Sequence, residues 1–160
     1  MTQGSITKIL MVDDAARHHP TYRASITEVM HATVDFATTG EDAMQRLAQE
    51  PYDLMILDLG LPGKSGEEVT AEIRRTPKYD TLAIIILTGN SDPRTQQRLL
   101  DLGADDFVEK GGSPDILIAR IRTQVRNRLT LKRMAAMSVD METFVGAVLH
   151  DLRNLEANIS

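Results

Sequence analysis

Three acidic residues in this chain have the types and positions for phosphoryl chemistry: Asp13 and Asp14 close the apolar run ITKILMV, and Asp58 closes DLMIL. Carboxylates placed after strand-like segments gather at the carboxyl edge of a parallel sheet, where open α/β folds bind their ligands. Three of them at one edge repel one another unless a hard cation sits among them. Mg2+ is the expected ion, because it binds through one or two carboxylates and keeps its other positions for water and phosphate. Two more polar residues point to the same edge, since Thr88 ends LAIIILT and Lys110 follows ADDFVE. Taken singly, Asp58 or Thr88 also suits a helix cap, Asp13-Asp14 a capping pair and Lys110 a surface charge. Together, in order and each at a strand end, the five form a strongly constrained constellation.

The segments that must position them alternate in period. ITKILMV precedes an amphipathic stretch around Tyr22 to His31, ATVDFA one opening at Gly40-Glu41, and YDLMILD one from Gly66 to Arg75. LAIIILT precedes Pro93 to Leu102, and ADDFVE a long helix after Ser113-Pro114. Short β-branched runs separated by helical segments are repeated β-α units, which predicts a parallel sheet of five strands with helices on both faces. LAIIILT has almost no alternation, as expected of a strand buried on both sides. Asp92-Pro93 and Ser113-Pro114 each set a capping side chain before a proline at the first helical position. Pro20 falls where the first helix should already be running, so that helix is expected to begin late, near His19 to Thr21.

Composition narrows the class. At 160 residues the chain has room for one domain and an extension. It has no cysteine, which excludes disulfides and thiolate metal sites and fits a reducing compartment, with the cytoplasm as the expected location. No apolar run approaches the ~18–20 residues that span a bilayer, and MTQGSITK lacks the parts of a signal peptide. Residues 1–113 hold 11 Lys or Arg against 18 Asp or Glu, whereas 114–160 hold 7 against 5. That balance argues against a nucleic-acid partner for the first part. The basic stretch Arg120, Arg122, Arg126, Arg128, Lys132 and Arg133 does not form one stripe on a helix, and reads as its solvated faces. His18 and His19 are adjacent, so as helical residues they point apart and suit a surface loop better than a metal pair.

The motifs MVDD, LDLGLPGKSG, LTG and GADDFVEK, with Pro62 and Gly66 at their spacing from Asp58, resemble the receiver domain of two-component response regulators over residues 5–130. The resemblance implies a flavodoxin-like, doubly wound five-stranded parallel sheet of order 2-1-3-4-5 with five helices. It also implies that Asp58 accepts a phosphoryl group from a phosphohistidine donor, a histidine kinase or phosphotransfer protein. Asp14, Asp58 and the backbone carbonyl of Gly60 would ligate Mg2+, with Asp13 acting through water. Lys110 and Thr88 would hold phosphoryl oxygens, with a backbone contact at Gly89. An aspartate is ionised at neutral pH and can attack phosphorus without a general base. Phe107 occupies the position of the family's switch aromatic, and equally suits an ordinary core phenylalanine. One departure stands out: the family usually has proline directly after the lysine, and here Gly111-Gly112 follows.

Beyond residue 130 the pattern changes. Met134, Met137, Met141, Val145, Val148, Leu152, Leu155 and Ile159 are spaced 3, 4, 4, 3, 4, 3 and 4 apart, the repeat of a helical seam. The reading is a helical extension over 131–160 that pairs with a second copy. Within it, FVGAVLHDLRNL contains HDLRN, which resembles the phosphoacceptor box of sensor histidine kinases, though Leu155 stands where that family usually has proline. His150 would then be a phosphohistidine on the first helix of a truncated dimeric bundle, and the chain the front of a receiver-containing kinase. The other readings are a surface histidine, and a stand-alone regulator or phosphoryl buffer whose tail only dimerises.

Overall fold

Parallel strands need near-continuous apolar runs, and the computed structural model, which describes residues 6–89 and 92–159, brings five of them into one sheet. Met1 to Ser5, most of the MTQGSITK start, lie outside the described residues. Strands β1 (Thr7–Val12), β2 (Ala32–Ala37), β3 (Leu54–Asp58), β4 (Ala83–Thr88) and β5 (Asp106–Glu109) are all parallel, in the order β2-β1-β3-β4-β5. Helices α1 (His19–Val29), α2 (Gly40–Gln49), α3 (Gly66–Arg74), α4 (Pro93–Asp101) and α5 (Pro114–Ile159) follow the strands in turn. This is the flavodoxin-like, doubly wound arrangement that the resemblance implied. Among the described residues no helix is long and apolar enough to cross a membrane.

Each face of the sheet has its own core, because successive side chains of a strand point opposite ways. Leu10, Val12, Met55, Leu57, Ile84 and Ile86 pack against Ala43 and Leu47 of α2, Val69 and Ile73 of α3 and Leu99 of α4. Ile9, Met11, Leu54, Ile56, Ile85 and Leu87 pack against Ile26 of α1 and Leu117 and Ile121 of α5. Every residue of β3 and β4 is buried, which explains why LAIIILT shows no alternation. At about 1.5–3 kcal/mol per fully buried aliphatic side chain, these two strands contribute strongly to the stability.

Helix starts follow their caps. Thr39, Ser65 and Asp92 each accept a hydrogen bond from a backbone N–H in the first turn of α2, α3 and α4. The Ser113 hydroxyl likewise accepts from the Asp115 N–H at 3.3 Å. Helix α1 begins at His19 with Pro20 in its first turn, where a proline's missing N–H has no helical partner to lose.

The chain divides between Arg128 and Leu129 into two compact units. In the first, Arg128 ties the sheet's amino edge: its Nε donates to the Thr81 carbonyl at 2.7 Å, and its guanidinium pairs with the Asp53 carboxylate. The second unit is helical, and Met134, Met137, Met141, Val145, Val148, Leu152 and Leu155 are all exposed in it, as are Phe144 and Leu149. The side chain of Ile159 lies outside the described ones.

Gly66 lets the start of α3 rest directly on the strand end that carries Asp58. A Cβ there would stand 2.9 Å from the Asp58 carbonyl oxygen and 3.1 Å from the Leu59 Cα, both backbone atoms that cannot swing away. Gly66→Ala is therefore expected to lower stability by about 1–3 kcal/mol. Urea denaturation should show a lower midpoint at an unchanged slope.

Candidate functional site

The sheet order reverses at β1, with β2 on one side of it and β3 on the other, and such a reversal opens a crevice at the carboxyl edge. Val12 pairs with Leu57 across β1 and β3, so Asp13 and Asp58 are the next residues on neighbouring strands. Thr88 ends β4, and its carbonyl accepts the Lys110 N–H at 2.8 Å, which ties the residue after β5 to the same edge. The five residues singled out in the sequence all emerge here.

Carboxylate oxygens of Asp13, Asp14 and Asp58 lie within 4.8 Å of one another. Asp13 (0% exposed), Asp58 (3%) and Thr88 (2%) are buried, whereas Asp14 is open to solvent. Asp58 accepts from the Gly60 N–H at 3.0 Å through Oδ1 and from the Lys110 ammonium at 2.5 Å through Oδ2. Asp13 accepts from the Ala15 N–H at 2.9 Å through Oδ1, while its Oδ2 is buried without a hydrogen-bond partner. Three oxygen donors this close, on residues that include an Asp13 with one buried, unsatisfied oxygen, fit a small divalent cation, and Mg2+ suits an all-oxygen set. The hydrogen bond to Asp58 raises the pKa of Lys110 above the ordinary lysine value; burial opposes this, and attraction to the Asp58 and Asp13 charges adds to it.

The glycines after Thr88 and Lys110 keep the edge open. A Cβ at Gly89 or at Gly111 would meet nothing within 4 Å. Gly111 has φ +85°, a left-handed conformation that a proline in the family's usual place could not adopt. Phe107 is half-buried against the core shared by Ile84, Ile86 and Leu99. A hollow of about 240 Å³ lies beside it, lined also by Thr88, Gln96, Ile116 and Arg120. His150 is exposed on the second unit, with Asn154 Nδ2 3.4 Å from its Nε2.

Two features of the site, a histidine pair and a tyrosine, are not evident from spacing alone. His18 and His19 do point apart, but neither lies in a free surface loop. His18 Nδ1 faces Asp13 Oδ2 at 3.4 Å, and His19 Nε2 lies 2.9 Å from the Asp13 carbonyl with its ring stacked on Phe36. Both are half-buried because the turn before α1 folds back onto the end of β1. Tyr22, four residues after His18, is the second. Its pKa is raised by burial first and then by the negative charges of Asp13 and Asp58, with Lys110 opposing. Only the four-residue spacing from His18 on a helical segment hints at it.

Over residues 9–122 the chain matches the family described as "Response regulator receiver domain". It is similar to the transcriptional regulatory protein KdpE of Mycobacterium tuberculosis, 32% identical over 139 residues, 87% of this chain and 60% of that protein. The phosphate regulon transcriptional regulatory protein PhoB of Rhizobium meliloti is 34% identical over 143 residues, 86% of this chain and 63% of that protein. The chain thus spans about 60% of the length of these curated relatives. Among solved structures, the signal receiver domain of a signal transduction histidine kinase from Syntrophus aciditrophicus superposes with a TM-score of 0.70. It is 26% identical, over 76% of this chain and 91% of that one.

Lys110 is the one positive charge against Asp58 in the described geometry, so its removal has a definite sign. Lys110→Met should lower stability in Mg2+-free buffer by about 1–3 kcal/mol for a poorly satisfied buried carboxylate, less what solvent screens at the one-third exposed lysine side chain. Added Mg2+ should raise the melting temperature of this variant more than that of the wild type, as thermal unfolding with and without the ion would show. A lysine pKa raised by folding gives stability that is complete below the unfolded value and fades as pH climbs through the folded one. The wild type should therefore lose this contribution only above pH ~10.4, and denaturation at rising pH should show that loss missing from Lys110→Met.

Proposed function

Because the chain belongs to the response regulator receiver family, we propose that its receiver, in residues 5–130, takes a phosphoryl group onto Asp58 from a phosphohistidine donor and so regulates a dimeric C-terminal helix. The observation that carries this is the convergence of Asp13, Asp14, Asp58, Thr88 and Lys110 on one crevice. An Asp58 oxygen attacks phosphorus in line with the phosphorus–nitrogen bond of the donor. As the acyl phosphate forms, that bond breaks, and its electron pair stays on the imidazole, which takes up a proton. The reaction is positioning plus charge neutralisation, with little covalent work for the protein.

Asp13, Asp14, Asp58 and the Gly60 carbonyl would hold Mg2+, which when bound supplies positive charge against the phosphoryl oxygens. The Lys110 ammonium, now on Asp58 Oδ2, is placed to follow the charge onto a phosphoryl oxygen. Thr88 gives its hydroxyl to another, and the open backbone at Gly89 leaves room for a third. As Thr88 moves toward the phosphoryl group, Phe107 turns into the hollow beside it and changes the face made by α4, β5 and α5.

The extension over 131–160 pairs with its copy through the exposed stripe from Met134 to Leu155. Phe144 and Leu149 widen that stripe beyond a two-stranded seam, toward the broader face of a helix in a bundle. His150 follows Val148 by two residues, off the seam and exposed, as a phosphoacceptor requires. We therefore favour the front part of a receiver-containing histidine kinase, a context in which the Syntrophus receiver also occurs. The second reading is a response regulator whose tail only dimerises, and the transcriptional regulators among its relatives favour it.

Acetyl phosphate or phosphoramidate with Mg2+ should add one phosphoryl mass to the wild type and none to Asp58→Asn. Label retained after Asp58→Asn would refute the receiver chemistry, and an acid-labile phosphohistidine present in the wild type and missing from both Asp58→Asn and His150→Ala would favour transfer to the tail. With nothing bulky at Gly89 to shield the acyl phosphate from water, its lifetime should be short; many hours would contradict this. Sedimentation should give a dimer for the whole chain and a monomer for Val148→Asp with Leu152→Asp, since each buried carboxylate costs more than the seam returns.

A further inference from the structure

His18 stands close to the carboxylate cluster. His18 Nδ1 stands 3.4 Å from Asp13 Oδ2, and both atoms are buried without a hydrogen-bond partner. The other ring nitrogen, Nε2, accepts from Arg17 Nε at 3.4 Å. A guanidinium can only donate, so Nε2 carries the lone pair and Nδ1 carries the ring proton, aimed at Asp13. A charge-assisted N–H to carboxylate bond closes to ~2.7–2.9 Å, so this contact has slack in it.

That slack lies on the buried Asp13 oxygen that has no other hydrogen-bond partner. Oδ1 of Asp13 is held by the Ala15 N–H, and the main chain on either side is held too, by the Asp13 N–H to the Ala37 carbonyl and by His19 on the Asp13 carbonyl. One hydrogen bond on Oδ1 restrains the carboxylate from one side only, and a second on Oδ2 would complete its aim. His18 in turn is set by the ring of Tyr22, edge-on at 6.3 Å and 84°. Carboxylates around a metal are commonly aimed by outer hydrogen bonds of this kind, and losing one typically weakens the metal 10–100-fold.

Resting on the receiver reading of Asp13, Asp14 and Asp58, we propose that His18 is a positioning residue of the cation site, its Nδ1–H fixing Asp13 Oδ2 toward the water shell of the bound ion. The imidazole touches neither phosphoryl group nor metal and acts through Asp13. Asparagine at this position places its amide N–H near where Nδ1 stands, whereas leucine fills the space without a donor.

Isothermal titration of the whole chain with Mg2+ tests this. His18→Leu should weaken Mg2+ about tenfold or more, and His18→Asn should recover most of that loss. A merely structural role would lower the urea midpoint of both variants without this split in affinity. Equal Mg2+ affinity in wild type and His18→Leu overturns the proposal, while no Mg2+ binding by the wild type overturns the carboxylate site itself. Nitrogen NMR of the wild-type ring needs no variant: the Nδ1–H tautomer supports the assignment, and a bare Nδ1 before and after Mg2+ rejects it.

Discussion

The repulsion among three carboxylates held at one sheet edge is the constraint on which the rest of this molecule turns. Asp13 and Asp58 are fully or almost fully buried, and at neutral pH the direct positive contact on the pair is Lys110. Among the described residues the arrangement has only two local hydrogen bonds in its favour, from the Ala15 and Gly60 N–H groups. It is imposed by the apolar runs behind it, because β1 and β3 cannot bury Leu10 to Val12 and Leu54 to Leu57 without bringing the residues that follow to the same place. The sheet thus holds like charges together at its edge, and the Lys110 ammonium on Asp58 offsets part of their repulsion.

The same logic explains which parts of the scaffold are rigid. Strands β3 and β4 are buried on both faces and hold Asp58 and Thr88, while glycines stand close after the strand ends: Gly60 after β3, Gly89 after β4, and Gly111 and Gly112 after β5. Apolar surface fixes the Asp58 carboxylate, and absence of side chains leaves the edge open around it. Gly66 joins the two, since the close approach of α3 to the Asp58–Leu59 backbone sets the floor of the crevice.

Most of the fold and the five principal residues were legible in the sequence, and the reason is geometric. A strand end is a point that an apolar run and its first polar residue mark together, so Asp13, Asp58, Thr88 and Lys110 could be placed without knowing any contact. His18 could not, because its relation to Asp13 depends on how the short turn Ala16–His18 reverses onto β1, and neither composition nor period encodes that reversal. Reading His18 and His19 as a surface loop followed a sound rule, that adjacent helical side chains diverge. The rule holds, yet both still reach Asp13, one at its carboxylate and one at its carbonyl. Tyr22 was hidden for a related reason: on an amphipathic stretch a tyrosine reads as core, and only burial beside three charges distinguishes it. The contact between Arg128 and Asp53, 75 residues apart, lay beyond any local pattern.

That contact gives the first part of α5 a mechanical character. From Pro114 to Arg128 the helix runs ~22 Å, about the length of a six-residue strand. Its start is capped beside the loop that carries Lys110, its middle is seated through Leu117 and Ile121, and its far end is fastened at the sheet's other edge by Asp53 and the Thr81 carbonyl. A rod seated in its middle and fastened at Arg128 cannot slide along its axis without breaking the Arg128 contacts. A displacement at its Lys110 end that kept those contacts would tilt or twist the rod about Arg128, with that arginine as the pivot.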